Sequence, residues 1–177
     1  MSDLPSSRGA TRLLKKAGCP PNVIKHCKTV SKIAVKIARK LKKKGIPIDV
    51  ELVKIGGLLH DIGRSKTHNI DHAVIGSDIA RSLDIPESVI LIIERHIGSG
   101  ITSEEAKKLG LPEKNFLPVT LEEKIVSYAD KLVSGNHEMP FDEALERFTM
   151  DLGAAHPAVC RLKQMHREFV SIIGDFP

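Results

Sequence analysis

Ile55-Gly56-Gly57-Leu58-Leu59-His60-Asp61-Ile62-Gly63 sets an imidazole and a carboxylate side by side where an apolar helix runs out. Burying an unpaired carboxylate costs several kcal/mol, and a cation shared with other ligands removes that cost. The pair therefore reads as one part of a metal grip. Working outward, His26 precedes it, and His72, His96 and Asp130 follow, each inside its own periodic apolar segment. His26 shares a helical face with Val30, Ile33 and Ile37, and Asp130 stands among Val126, Leu132 and Val133 where the pattern wants an apolar side chain. A lone histidine on an apolar face is commonly a satisfied core residue, and a lone aspartate commonly a cap. Four such residues in order, His26, His60-Asp61 and Asp130, on three separate helices, are poorly explained by packing alone. A divalent metal ion fits this chemistry: Fe, Mn, Co or Ni, with Zn or Mg as further candidates. The lack of CxxC spacing argues against a structural zinc site.

Leucine, isoleucine and valine recur at three- and four-residue intervals almost throughout, without sustained alternation between hairpin turns, so an all-α chain is expected. Helices are expected from about Arg8 to Ala17, Pro21 to Lys44, Ile48 to His60, Asp71 to Leu83, Glu87 to Ile97, Thr102 to Gly110, Thr120 to Val133, Phe141 to Met150 and Pro157 to Ile173. Asp49, Thr102 and Thr120 read as N-caps, and Gly18, Gly45 and Gly110 as stops. Gly56-Gly57 should let a neighbouring backbone approach closely. Residues 64–69 read as a polar loop, and 111–119, with Pro112 and Pro118, as a lid or rim. At 177 residues the chain suits one domain over 1–177, with the helices of 140–174 packing on the rest.

Composition narrows the functions available. With five Phe, one Tyr and no Trp the core must be aliphatic, and a nucleobase-stacking surface has little to stack with. No apolar run approaches the roughly 20 residues that span a bilayer, and Met1-Ser2-Asp3-Leu4-Pro5 lacks a charged-then-apolar leader pattern. A cytoplasmic protein without a membrane partner is expected. Cys19, Cys27 and Cys160 read as small apolar residues. Residues 1–44 carry 13 Lys/Arg against Asp3 alone, while the remainder is net acidic. That asymmetry fits either a basic surface for nucleic acid or polyphosphate, or a solvated face pairing with the acidic remainder. The absence of stacking residues favours the second.

In this order and at these separations, His26, His60-Asp61-Ile62-Gly63 and Asp130 resemble the HD-domain superfamily of metal-dependent phosphohydrolases, in its HDIG-bearing branch. Leu58 to Gly63 is similar to the family's central signature, Tyr128-Ala129-Asp130-Lys131 is similar to its closing Ala-Asp, and the resemblance spans about Cys19 to Val133. It implies a helical bundle of the HD type in which His26, His60, Asp61 and Asp130 hold a first metal. His72-Ala73-Val74-Ile75-Gly76 and the later His96 further resemble the small dinuclear enzymes that hydrolyse symmetrical dinucleoside polyphosphates, which implies that Asp61 bridges to a second ion on His72 and His96. The implied activity is hydrolysis of a nucleotide or other small phosphoester by metal-activated water, with Asp61 and Lys131 in catalytic roles. Arg64, Lys66, Arg95 and Lys131 are candidates to neutralise substrate phosphate, and His68 is a further contact near the mouth. The chain departs from the dinucleoside pattern at Ile62-Gly63-Arg64-Ser65 and from Arg95 to Thr102, so base-binding partners do not carry over. His137, His156 and His166 are expected at the surface or as caps. The alternatives are a non-enzymatic nucleotide- or RNA-binding sensor or adaptor using the basic N-terminal helices, and a di-iron oxygenase.

Overall fold

The computed structural model describes residues 3–174. Three- and four-residue apolar spacing gives nine α-helices among the described residues: α1 (Ser7–Ala17), α2 (Pro21–Lys43), α3 (Val50–Leu59), α4 (His72–Ser82), α5 (Glu87–Arg95), α6 (Ser103–Lys108), α7 (Leu121–Lys131), α8 (Phe141–Leu152) and α9 (Pro157–Ile173). The fold is all-α, as the periodicity requires. Its ends are set by local chemistry. Asp49 accepts hydrogen bonds from the Glu51 and Leu52 amides to start α3, Thr102 and Glu105 form a reciprocal capping box on α6, and Thr120 accepts from Glu123 to start α7. Gly18, at φ 93°, closes α1 in the left-handed conformation that a Cβ would disfavour.

Two expectations need correction. Helix α5 stops at Arg95 rather than Ile97, because Gly98 and Ser99 both take positive φ and turn residues Ile97–Ser99 into a 3-10 turn. Helix α7 stops at Lys131, because Val133–Ser134 (β1) pairs antiparallel with His137–Glu138 (β2) across a Gly135-Asn136 turn. The segment 111–119, expected as a lid or rim, packs against α6. Phe116 exchanges backbone hydrogen bonds with Ile101 and packs with Ala106 and Leu111, which pins the segment to α6.

The core has two main parts, and α3 belongs to both. One side packs α1, the start of α2, α4 and α5 around Ile55, Leu59 and Ile93, and the other packs α2, α7, α8 and α9 around Ile37, Val126, Tyr128 and Phe169. His166 was expected at the surface. It is half-buried there, with its Nδ1 2.8 Å from the Tyr128 hydroxyl and its ring stacked on Phe141. Cys19 and Cys27 are buried as expected, whereas Cys160 is exposed. No helix among the described residues is long and apolar enough to cross a membrane.

Two glycines let the elements close on the future site. A Cβ at Gly57 would lie 2.8 Å from the Ser31 Cα, so only hydrogen lets α3 meet α2. A Cβ at Gly63 would lie 1.8 Å from the His72 carbonyl oxygen, so the 3-10 turn Ile62–Ser65 presses directly on the start of α4. Backbone cannot yield there as a side chain can. Gly63→Ala is therefore expected to cost at least the ~1–3 kcal/mol typical of overpacking, which lowers the melting temperature by several degrees in a chain of this size. A thermal midpoint within one degree of wild type would contradict this account of the contact.

Candidate metal centre

Helix α3 ends at Leu59, His60 caps it in helical geometry, and Asp61 swings to φ −101°, ψ 18° before the 3-10 turn begins. That break lets two adjacent side chains point into one space, which a continuous helix would hold ~100° apart. His26 comes from α2, His72 opens α4, His96 caps α5 and Asp130 lies in the last turn of α7. The four imidazoles are oriented alike. Each Nδ1 donates to a backbone carbonyl: His26 to Gly135 at 2.7 Å, His60 to Gly57 at 2.8 Å, His72 to Asn69 at 2.7 Å and His96 to Ile93 at 2.7 Å. A carbonyl can only accept, so the proton belongs to Nδ1 and the Nε2 atoms face one another across a common space.

Asp61 divides that space. Its Oδ2 lies 3.7 Å from both His26 Nε2 and His60 Nε2, and its Oδ1 lies 3.1 Å from His72 Nε2 and 3.4 Å from His96 Nε2. Asp130 Oδ1 joins the first group, 2.9 Å from His26 and 3.4 Å from His60. The group His26, His60 and Asp130 is compact enough to hold one ion, and so is the group His60, Asp61 and His96. The buried His60 Nε2 and Asp61 Oδ1 have no hydrogen-bond partner. The His72 and His96 Nε2 atoms face each other at 3.1 Å. Buried, unpaired acceptors pointed at one another require a cation or a proton between them.

The electrostatics favour a cation. Burial opposes ionisation of Asp61, but His60, His72 and His96 outweigh it and hold the carboxyl well below its usual range. Burial also opposes ionisation of Asp130, where Lys131 and then His26 and His60 have the same lowering effect. Burial pushes His96 down to about 4, so its lone pair is free at neutral pH. For His26 burial works against the charged form, but the hydrogen bond and charge of Asp130 prevail and raise it. Cys19 lies close by, and burial lifts its thiol to about 11.

The structure brings six of the sequence candidates together: His26, His60, Asp61, His72, His96 and Asp130. Lys131 Nζ sits 2.6 Å from Asp130 Oδ2, and Arg64 Nε 2.7 Å from Asp61 Oδ2. Two cavities meet here and share Arg64, Asp130, Lys131 and Phe148. One, about 940 Å³, is lined by Lys25, His68, Asn136 and Arg147, and the other, about 410 Å³, by Ile70, Ile97, Leu109, Leu152 and His156. Arg95 and Lys66 line neither cavity. Arg95 donates to the buried Glu123 at 3.0 Å, and Lys66 is exposed beyond the 3-10 turn. His156 caps α9, as expected, and also reaches the smaller cavity. Sequence reading missed Gly135, Arg147, Phe148 and Leu152. The Gly135-Asn136 dipeptide was a legible turn signal; nothing marked which face of α8 turns inward.

The HD domain family profile matches residues 23–135, so α8 and α9 lie outside the matched span. The uncharacterized protein MJ0778 of Methanocaldococcus jannaschii is 49% identical over 155 residues, covering 88% of this chain and 92% of that protein. The tRNA (cytidine(56)-2'-O)-methyltransferase of Picrophilus torridus is 42% identical over 171 residues, 97% of this chain but 48% of its own length. The chain thus spans about half of that relative. Among solved structures, the L. monocytogenes phosphodiesterase PgpH HD domain, in complex with cyclic-di-AMP, superposes with a TM-score of 0.56 at 18% identity, over 94% of this chain and 99% of that one. That likeness is one of fold.

The depressed His96 sets a pH dependence for the chelator-treated protein. Unfolded, His96 takes up its proton near 6.5, but folded it does so only near 4. The unfolded chain therefore binds more protons in that window, and stability falls as pH drops from about 6.5 to about 4. His26 runs the other way: its raised value gives stability that is complete below 6.5 and is lost as pH rises through the folded pKa. Because the two oppose each other, the difference between proteins isolates His96: from pH 7 to pH 5 the urea midpoint of wild type should fall relative to that of His96→Gln. An equal change in both proteins would show that His96 does not contribute.

Proposed function

The chain belongs to the HD-domain family, and from that premise we propose that it is a metal-dependent phosphohydrolase acting on a nucleotide or other small phosphoester. One observation carries the reading. The two oxygens of Asp61 face different imidazole sets, His26 and His60 on one side, His72 and His96 on the other. His26, His60, Asp61 and Asp130 would hold a first ion, and Asp61, His72 and His96 a second. Ions bound there supply Lewis acidity to phosphoryl oxygens and lower the pKa of water, so the chain need offer no nucleophilic side chain. Imidazole with carboxylate suits Fe, Mn, Co or Ni.

The protein's own groups supply the rest. Backbone carbonyls fix each imidazole with its Nε2 toward the common space. Lys131 stands where the two cavities join and is placed to neutralise a phosphate held at the ions; Arg64 borders both cavities and can do the same. The larger cavity offers the cations Lys25 and Arg147 to further phosphate or sugar groups. The smaller offers apolar side chains and the Phe148 ring, suited to a planar apolar group such as a nucleobase. A second reading, in which the phosphoester lies in RNA, is favoured by the Picrophilus torridus relative, which carries nearly the whole chain inside a protein named for a tRNA.

The purified protein is expected to contain bound metal by elemental analysis and to hydrolyse phosphodiesters or phosphomonoesters with added Mn, Co, Ni or Fe. His60→Ala and Asp61→Asn should lose metal and at least 100-fold in activity. Indistinguishable wild type and His60→Ala under every metal would defeat the reading. Anaerobic turnover with redox-inert metals would exclude an oxygenase. Lys131→Met should keep its metal and lose roughly 10- to 100-fold in kcat/KM, which corresponds to about 1.4–2.8 kcal/mol of transition-state stabilisation. Unchanged kcat/KM in this variant would remove Lys131 from the reaction.

A further inference from the structure

The excess charge of residues 1–44 has a definite place in the fold. A groove of about 730 Å³ runs between α1, α2 and α3, and its basic residues are Lys28, Lys32, Lys36, Arg39, Lys40 and Lys43 of α2 with Lys54 of α3. Among the described residues no carboxylate lines it. From Lys28 to Lys43 the stripe extends about 22 Å at the rise of an α-helix. It does not stop there. Lys25, one turn before Lys28, lines the larger cavity at the candidate metal centre, so the track leads from the groove to the site.

The groove is firm. Ser31 Oγ donates to the Lys54 carbonyl at 2.8 Å in its wall, beneath the contact that Gly57 makes possible. Of the groove's own cations, Lys54 pairs with Glu51 at 3.1 Å; away from it, Glu94 pairs with Lys114, Glu123 with Arg95, Glu105 with Arg161, and Glu168 with Lys124. A helix that lies on a membrane needs an apolar stripe at the surface, whereas Val30, Ile33, Ile37 and Leu41 of α2 are all buried.

We propose that this groove is a docking track for the phosphate backbone of single-stranded RNA, delivering the strand toward the metal centre. The choice of RNA rests on the second reading above; the demand for a polyanion rests on the groove alone. With no aromatic residue among its lining, recognition is by backbone charge, independent of sequence, and therefore steeply salt-dependent.

Binding of a fluorescently labelled single-stranded RNA to the chelator-treated full chain, followed by anisotropy from roughly 50 to 200 mM salt, tests the proposal. Lys28→Gln/Lys32→Gln removes two exposed charges outside the metal centre. It should weaken binding about tenfold and make the slope of log K against log salt shallower by about 1.4, the value for two phosphates of a single strand. The control Lys107→Gln/Lys163→Gln removes the same charge elsewhere and should change little. Equal effects in both doubles, or no RNA binding by wild type at low salt, would overturn the proposal. Groove-dependent binding to phosphatidylglycerol vesicles without RNA binding would replace RNA by a membrane surface and so overturn it too. Hydrolysis of a small chromogenic phosphodiester, read on the same metal-loaded proteins, should be unchanged by the groove double. Its absence in wild type, beside groove-dependent RNA binding, would end the hydrolase reading and leave the groove standing.

Discussion

Everything at the centre depends on four hydrogen bonds from imidazole Nδ1 to backbone carbonyl. Each is ordinary, worth about 1 kcal/mol net. Together they decide which nitrogen of His26, His60, His72 and His96 keeps its proton, and so they aim four lone-pair positions at one carboxylate pair. The partners are unevenly local. Gly57, Asn69 and Ile93 each lie three residues before the histidine they receive from, so those bonds follow from a single helical turn. Gly135 lies 109 residues from His26 and reaches it only because the β1–β2 turn folds back over α2.

Convergence at this distance needs helices that approach closely, and two glycines permit it. Gly57 brings α3 against α2, and Gly63 brings the turn after Asp61 against α4. The same close crossing of α2 and α3 also firms the basic groove on the outer face. One packing decision therefore serves the buried centre and the charged track alike, with α2 presenting His26 to the first and its lysines to the second.

Much of this was legible. Periodicity gave helix existence nearly throughout, and Asp49, Thr102 and Thr120 gave starts because their caps are local side-chain chemistry. Ends were less legible where the deciding feature was a positive φ at Gly98 and Ser99, or strand pairing at Val133. For substrate contacts, adjacency in sequence was a poor guide. Arg95 directly precedes His96, yet one residue of helix turns it to Glu123; Lys131 directly follows Asp130 and lies at the junction of both cavities. His166, expected at the surface or as a cap, is half-buried against Tyr128 and Phe141, two residues far away along the chain.

The sequence by itself determined the helical class, the identity of the candidate ligands and the uneven distribution of charge, because these follow from residue type and short-range spacing. Only the tertiary structure decided which oxygen of Asp61 faces which imidazoles, which cations border the cavities, and that the lysines of α2 gather into a groove. Those are relations between helices brought together by packing. They depend on the angle and depth at which apolar faces and glycine contacts lock, which no local pattern encodes.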